Sequence, residues 1–129
     1  MANIIKVGTA VEDTAVQLYS GSFYGSVSGN IVSRDLSEFK YIVISYTNNY
    51  WYGQQNYWCC KVPTSGSWST TLIGKVFTGG YDGRSMWRTV TVTPSSVSAG
   101  TTANAPDGDG AYPMLVINAV WGIREGGMF

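Results

Sequence analysis

A chain of 129 residues and 14.0 kDa has the length of one domain, enough to bury roughly two-thirds of its unfolded surface without disulfides or metal. Charged residues are only 12% of it, and eight basic residues balance eight acidic ones with no run of Lys or Arg. A groove that tracks phosphates needs a local basic excess, so nucleic acid is excluded as an expected partner. A net charge of zero gives copies little mutual repulsion, which points to a subunit of an assembly and to a homo-oligomer.

Residues 1–14 hold a short apolar patch, Ile4, Ile5 and Val7, before a polar Glu12-Asp13-Thr14 step. They read as an N-terminal arm or edge strand that docks on a neighbour, and residues 15–129 read as the folded domain. The first residues lack a basic leader followed by an apolar run, and no apolar run reaches the roughly 20 residues of a membrane span. The expectation is therefore no signal peptide and no membrane insertion.

Residues 15–19 alternate as a half-buried strand that Ser20-Gly21-Ser22 breaks, and residues 23–32 form a second, Gly/Ser-interrupted strand. Residues 33–38 read as a turn whose Leu36, with Phe39, caps the core. The longest unambiguous strand is Phe39-Lys40-Tyr41-Ile42-Val43-Ile44-Ser45-Tyr46-Thr47, rich in β-branched and aromatic side chains that suit a pleated, packed surface. Alternation puts Tyr41, Val43 and Ser45 on one face and Ile42, Ile44 and Tyr46 on the other. Both faces are largely apolar or aromatic, as in a strand central to its sheet and covered on each side.

The following Asn48–Trp58 segment carries aromatics and amides but no charge, the composition of a loop or hairpin tip. Residues 57–62 return as a strand that ends at Pro63. Further strands are expected within 68–77, over 86–93 and over 114–123, with a turn at 79–83. Residues 95–110 read as a loop with weak strand content. No segment keeps a helical period. The pattern predicts an all-β fold, an antiparallel β-sandwich of about seven to nine strands with an N-terminal arm.

Adjacent Cys59 and Cys60 lie on opposite faces of a strand and too close in sequence for an unstrained bond to each other. They read as free thiols acting as small apolar residues, with a bond to another subunit as the alternative. There is no histidine, so the commonest general base and metal ligand is missing. Asp35 and Glu38, like Asp107 and Asp109, read as solvated turn acids. Asp107-Gly108-Asp109-Gly110 has the start of a calcium loop without its remaining oxygen ligands. No metal, no cofactor, no catalytic residue and no enzyme are expected.

Leu18-Tyr19-Ser20-Gly21-Ser22, then Asp35-Leu36-Ser37-Glu38-Phe39-Lys40-Tyr41-Ile42-Val43-Ile44, then Arg84–Val92, and a closing Ile117-Asn118-Ala119-Val120-Trp121-Gly122-Ile123-Arg124 follow one another in a suggestive order. In that order and spacing, residues 15–124 resemble the β-sandwich modules of tailed-bacteriophage virion proteins, where "W/LxSGS", "LSxFKYLIV" and "IxxIxGIR" strands recur at the ends of tail fibres and baseplate proteins. The resemblance implies a structural component of a virion assembled in the host cytoplasm, whose partners are other virion proteins of capsid or tail. Without a fibre stalk ahead of the module, the expectation is a small capsid-decoration or tail accessory subunit held through its arm and apolar surfaces.

A receptor-binding or lectin-like module is the second reading. Tyr50, Trp51, Tyr52, Tyr57 and Trp58 suit stacking on sugar rings, and Asn49, Gln54, Gln55 and Asn56 suit bonding to hydroxyls of a cell-surface glycan. The same aromatics suit packing under a loop or against a neighbouring subunit, which is the reading expected for at least one of Trp51 and Trp58.

Overall fold

The computed structural model describes residues 14–49, 55–75, 85–104 and 114–124. Eight strands are formed: β1 (Ala15–Phe23), β2 (Gly29–Ser33), β3 (Tyr41–Asn49), β4 (Gln55–Lys61), β5 (Trp68–Lys75), β6 (Ser85–Thr93), β7 (Ser96–Ala99) and β8 (Met114–Ile123). They make two four-stranded antiparallel sheets, ordered β1-β8-β3-β4 and β2-β7-β6-β5. The protein is a β-sandwich, as the sequence pattern predicts. No helix among the described residues is long and apolar enough to cross a membrane.

The core lies between the sheets. Ile42, Ile44 and Tyr46 of β3 meet Leu115, Ile117 and Val120 of β8 in one sheet and Leu72, Met86, Val90, Val92 and Val97 in the other. Each such aliphatic side chain contributes about 1.5–3 kcal/mol through removal from water. β3 and β8 are the two inner strands of their sheet, so the longest apolar runs occupy the most enclosed places. On the outer face of β3, Tyr41 and Val43 are half-buried and Ser45 is buried. That face is covered in part rather than as fully as the inner one.

Leu36 and Phe39 close one end of the core, both buried. Their turn is set by Asp35, whose Oδ1 accepts from the Ser37 N–H at 2.9 Å, and is tied to the β6–β7 turn by Leu36 N–H donating to the Pro94 carbonyl at 2.8 Å. The Phe39 ring lies so close to Gly122 that a Cβ there would sit 2.6 Å from ring carbons. Only glycine lets the ring down onto β8.

Three expectations need correction. Ser20-Gly21-Ser22 does not end β1. The strand runs through it to Phe23 with register shifts against β8, and Gly21 at φ +152° supplies a backbone conformation a side chain would oppose. Residues 24–28 are a turn rather than strand, closed by Val27 N–H donating to the Tyr24 carbonyl at 3.0 Å, and β2 begins only at Gly29. The presumed loop 95–110 contains β7, where Val97 and Ala99 point into the core and Ser96 and Ser98 point out.

Candidate functional site

The Asn48–Trp58 segment is not one loop. Asn48 and Asn49 continue β3, and Gln55, Asn56, Tyr57 and Trp58 open β4. Strand alternation therefore separates the residues that the sequence groups together. Trp58, opposite Ile44, packs against the core. Asn56 is half-buried on that same inward side. Tyr57 points outward and is 67% exposed. Tyr50, Trp51, Tyr52 and Gln54 of the proposed glycan site lie outside the described residues, as do the arm residues Ile4, Ile5 and Val7.

Gln55 uses its amide within the protein. Its Nε2 donates to the Ser45 hydroxyl, and stands 3.3 Å from Asn118 Oδ1 and 3.4 Å from the Tyr46 carbonyl. Asn118 Oδ1 also accepts from Thr47 Oγ1 at 2.8 Å. Ser45, Thr47, Gln55 and Asn118 thus form an uncharged amide and hydroxyl cluster across β4, β3 and β8, and Tyr57 stands opposite Ser45 in the register. Amides and hydroxyls can each donate and accept, so the cluster suits neutral hydrogen-bonding partners. Ser45 and Thr47 come from the neighbouring strand β3, whereas Asn118 is 63 residues from Gln55 and only the sheet brings it to the cluster.

At the end of the sandwich capped by Phe39, charge is concentrated. Glu38 Oε2 accepts from Arg124 Nη2 at 3.0 Å, and Oε1 pairs with Arg34. The two guanidinium carbons stand 5.2 and 5.5 Å from the Phe39 ring centroid. All three ionic side chains are about 40% exposed, so these pairs orient the turn more than they stabilise the fold. Asp35, held by the Ser37 backbone and side-chain hydrogen bonds, has its carboxyl below the usual range. A cleft of about 330 Å³ opens here, with Glu38, Phe39 and Lys40 on one wall and Lys61, Val62 and Thr64 on the other. Glu38, the carboxylate that lines the cleft among the described residues, is engaged by both arginines.

The opposite end holds a residue that composition gave no reason to single out. Arg88 of β6 is 0% exposed. Its Nε donates to the Gly100 carbonyl at 2.7 Å, Nη1 to Phe23 and Leu115 at 2.8 Å each, and Nη2 to Tyr24 and Val27 at 2.7 Å each. These bonds use all the donors of a guanidinium. Desolvation by burial pulls its pKa down to about 10, so the group remains charged at neutral pH. It clamps the β1–β2 turn, the end of β7 and the start of β8, where Leu115 adopts φ +50°, a backbone state uncommon for a branched side chain.

Cys59 is exposed and Cys60 faces inward, and neither is in a disulfide. Burial raises both thiol pKa values, that of Cys60 to about 11 with the Cys59 charge adding to it. A raised thiol pKa opposes nucleophilic use. No cluster of three or more His, Cys, Asp or Glu side chains occurs among the described residues; Asp107 and Asp109 lie outside them. No family model and no curated protein matches the chain.

Proposed function

We propose that the protein is a non-enzymatic structural subunit of a bacteriophage particle, a capsid-decoration or tail accessory protein that acts by assembly. The observation that supports this reading is the kind of surface the sandwich presents. Ile73 and Trp87, paired across β5 and β6, are exposed large apolar groups on the outer face of one sheet, among outward side chains that are otherwise mainly Ser and Thr, and Tyr57 of β4 is exposed on the outer face of the other sheet. Exposed apolar groups gathered on neighbouring strands mark contact surfaces. The arm residues Ile4, Ile5 and Val7 supply a second attachment. Deleting residues 1–12 is expected to leave the sandwich folded while lowering the amount of protein retained on purified particles, read by quantitative mass spectrometry. Normal occupancy of the truncated protein would overturn the role of the arm, and absence of the full-length protein from particles would overturn the whole reading.

The receptor-binding alternative is favoured by one observation: Tyr57 stands exposed beside the neutral Ser45, Gln55 and Asn118 cluster. An aromatic face next to amides and hydroxyls is the combination that holds a neutral sugar. Loss of host-cell adsorption in a stably folded Tyr57→Ala variant would favour this reading over assembly.

A further inference from the structure

The four sheet edges differ in how well they are protected. β1 and β2 pair with their neighbours through register shifts and carry Gly21 and Gly29 at φ +152° and +139°, irregularities that blunt an edge against further pairing. β4 and β5 have no such irregularity: β4 pairs with β3 over all seven of its residues and β5 with β6 over all eight, each without a shift, and β4 differs from β5 in the ledge it forms. Val62 N–H donates to the Lys40 carbonyl, so the even-numbered residues of this strand bond to β3. The N–H and C=O groups of Gln55, Tyr57, Cys59 and Lys61 then point away from the sheet. No described strand pairs with that edge.

β4 also projects past the second sheet. β5 packs against β3 and β8 rather than against β4. Accordingly Asn56, Trp58 and Cys60 on the inward side of β4 are only half-buried, while Ile42, Ile44 and Tyr46 one strand further in are buried. The strand forms a ledge with an open edge, and Trp58 hangs from the middle of its inward side.

We propose that β4 is a self-association edge, pairing antiparallel with β4 of a second copy about a two-fold axis at Trp58, so that two four-stranded sheets become one. Centring on Trp58 uses the whole strand, since Gln55 and Lys61 are equidistant from it. It sets Gln55 against Lys61 of the second copy and Tyr57 against Cys59 of the second copy, outward residues against outward residues. These pairs exchange the hydrogen bonds that the edge leaves open. The two Trp58 residues then form a non-hydrogen-bonded pair, the site where Cα atoms approach to about 4.5 Å and aromatic side chains pair best. Their indoles fill the space beneath the two ledges. Lys61, the one charge on the strand, meets a neutral amide rather than another lysine. An unrelated strand would match the edge hydrogen bonds but not this self-complementarity. The proposal is independent of placement in a particle: a monomer would refute it and leave that placement untouched.

Sedimentation of the purified full chain tests it, with circular dichroism as the check on folding. The wild type is expected to dimerise at micromolar concentration. Cys59→Pro removes an outward N–H that has no ladder partner in the monomer, and Cys59→Lys adds an edge charge. Both are expected to fold and to weaken dimerisation at least tenfold. The register is tested with Tyr57→Cys in a Cys60→Ala background, oxidised by diamide. The introduced thiol and Cys59 of the second copy lose their hydrogens and two electrons to diamide and form an intermolecular disulfide, which is expected to appear in high yield. Thr71→Cys on β5, in a background lacking Cys59 and Cys60, is the control and is expected to remain uncross-linked. A monomeric wild type, a dimer unaffected by either Cys59 substitution, or efficient cross-linking at Thr71→Cys in place of Tyr57→Cys would overturn the proposal.

Discussion

Replacing Arg88 by Met keeps the unbranched apolar stem of the side chain and removes the charge and every donor, leaving five backbone carbonyls without them. Hydrogen bonds to a charged group are worth about 1.5–3 kcal/mol each, so five of them taken at face value would equal the whole stability of a domain, about 5–15 kcal/mol. Burying the guanidinium without a carboxylate partner offsets much of that sum, by several kcal/mol. The net loss expected for Arg88→Met is about 3–5 kcal/mol, the size seen when one side of a buried charged network is removed. Arg88→Lys should fall between, because one ammonium cannot reach acceptors spread over the β1–β2 turn, Gly100 and Leu115. Urea denaturation followed by tryptophan fluorescence gives the difference. The depressed pKa also has a sign: the native state binds this proton less tightly than the unfolded chain, so the Arg88 contribution rises with pH only above about 10 and is flat around neutrality. An Arg88→Met protein within about 1 kcal/mol of wild type would refute the clamp, since satisfied surface substitutions cost no more than that.

Gly122→Ala should destabilise by about 1–3 kcal/mol, because the new methyl meets the Phe39 ring; calorimetry should show part of the loss restored when Phe39→Leu is added. Trp58→Ala should cost about 3 kcal/mol or somewhat less, being only half-buried, whereas Tyr57→Ala should change stability by under about 0.5 kcal/mol; equal melting temperatures for the two variants would contradict their opposite orientations. The Cys60 thiol has a folded pKa of about 11 against an ordinary thiol value of 9.0, so its contribution is fully present below pH 9 and is lost as pH rises through 11. Comparison with Cys60→Ala should show a steeper alkaline decline in the wild type. At pH 8 to 9, iodoacetamide should label exposed Cys59 before Cys60, and the reverse order would exclude the inward placement of Cys60.

β3, β6 and β8 were legible because dense apolar alternation has one reading when the partner layer is also apolar. Their inward residues include Ile44, Val90 and Val120. β7 was hidden for the opposite reason: Ser96, Val97, Ser98 and Ala99 are small, and Val97 alone signals burial until β2 and β6 are seen on either side of it. The glycine in Ser20-Gly21-Ser22 reads as a breaker from sequence, although in a strand that must bulge it permits continuation. Arg88 was readable in part. Alternation places it on the face of Met86, Val90 and Val92, but the charge argues for solvent, and only the convergence of carbonyls from three distant segments resolves that conflict. The amide cluster had no local signature at all, since Thr47 and Asn118 are 71 residues apart. Alternation along β4 puts Tyr57 and Trp58 on opposite faces, so the two cannot serve the same surface.

The distribution of charge separates two kinds of contact. Among the described side chains, every charged group except the buried Arg88 lies around the Phe39 end: Arg34, Asp35, Glu38, Lys40, Lys61 and Arg124. The outward surfaces of the sheets are made of hydroxyls, amides and a few exposed rings, so a partner on those surfaces gains from desolvation and hydrogen bonding, neither of which salt screens. A partner at the Phe39 end meets exposed ions whose interactions fade beyond a Debye length of about 8 Å at physiological ionic strength. Pairing through β4 draws mainly on the first kind, with Lys61 at its margin. Its equilibrium should therefore persist at 1 M salt, where the Debye length is about 3 Å. If raising the salt dissolved the dimer, the contact would have to lie at the charged end, and the uncharged ledge around Trp58 would need another explanation for its exposure.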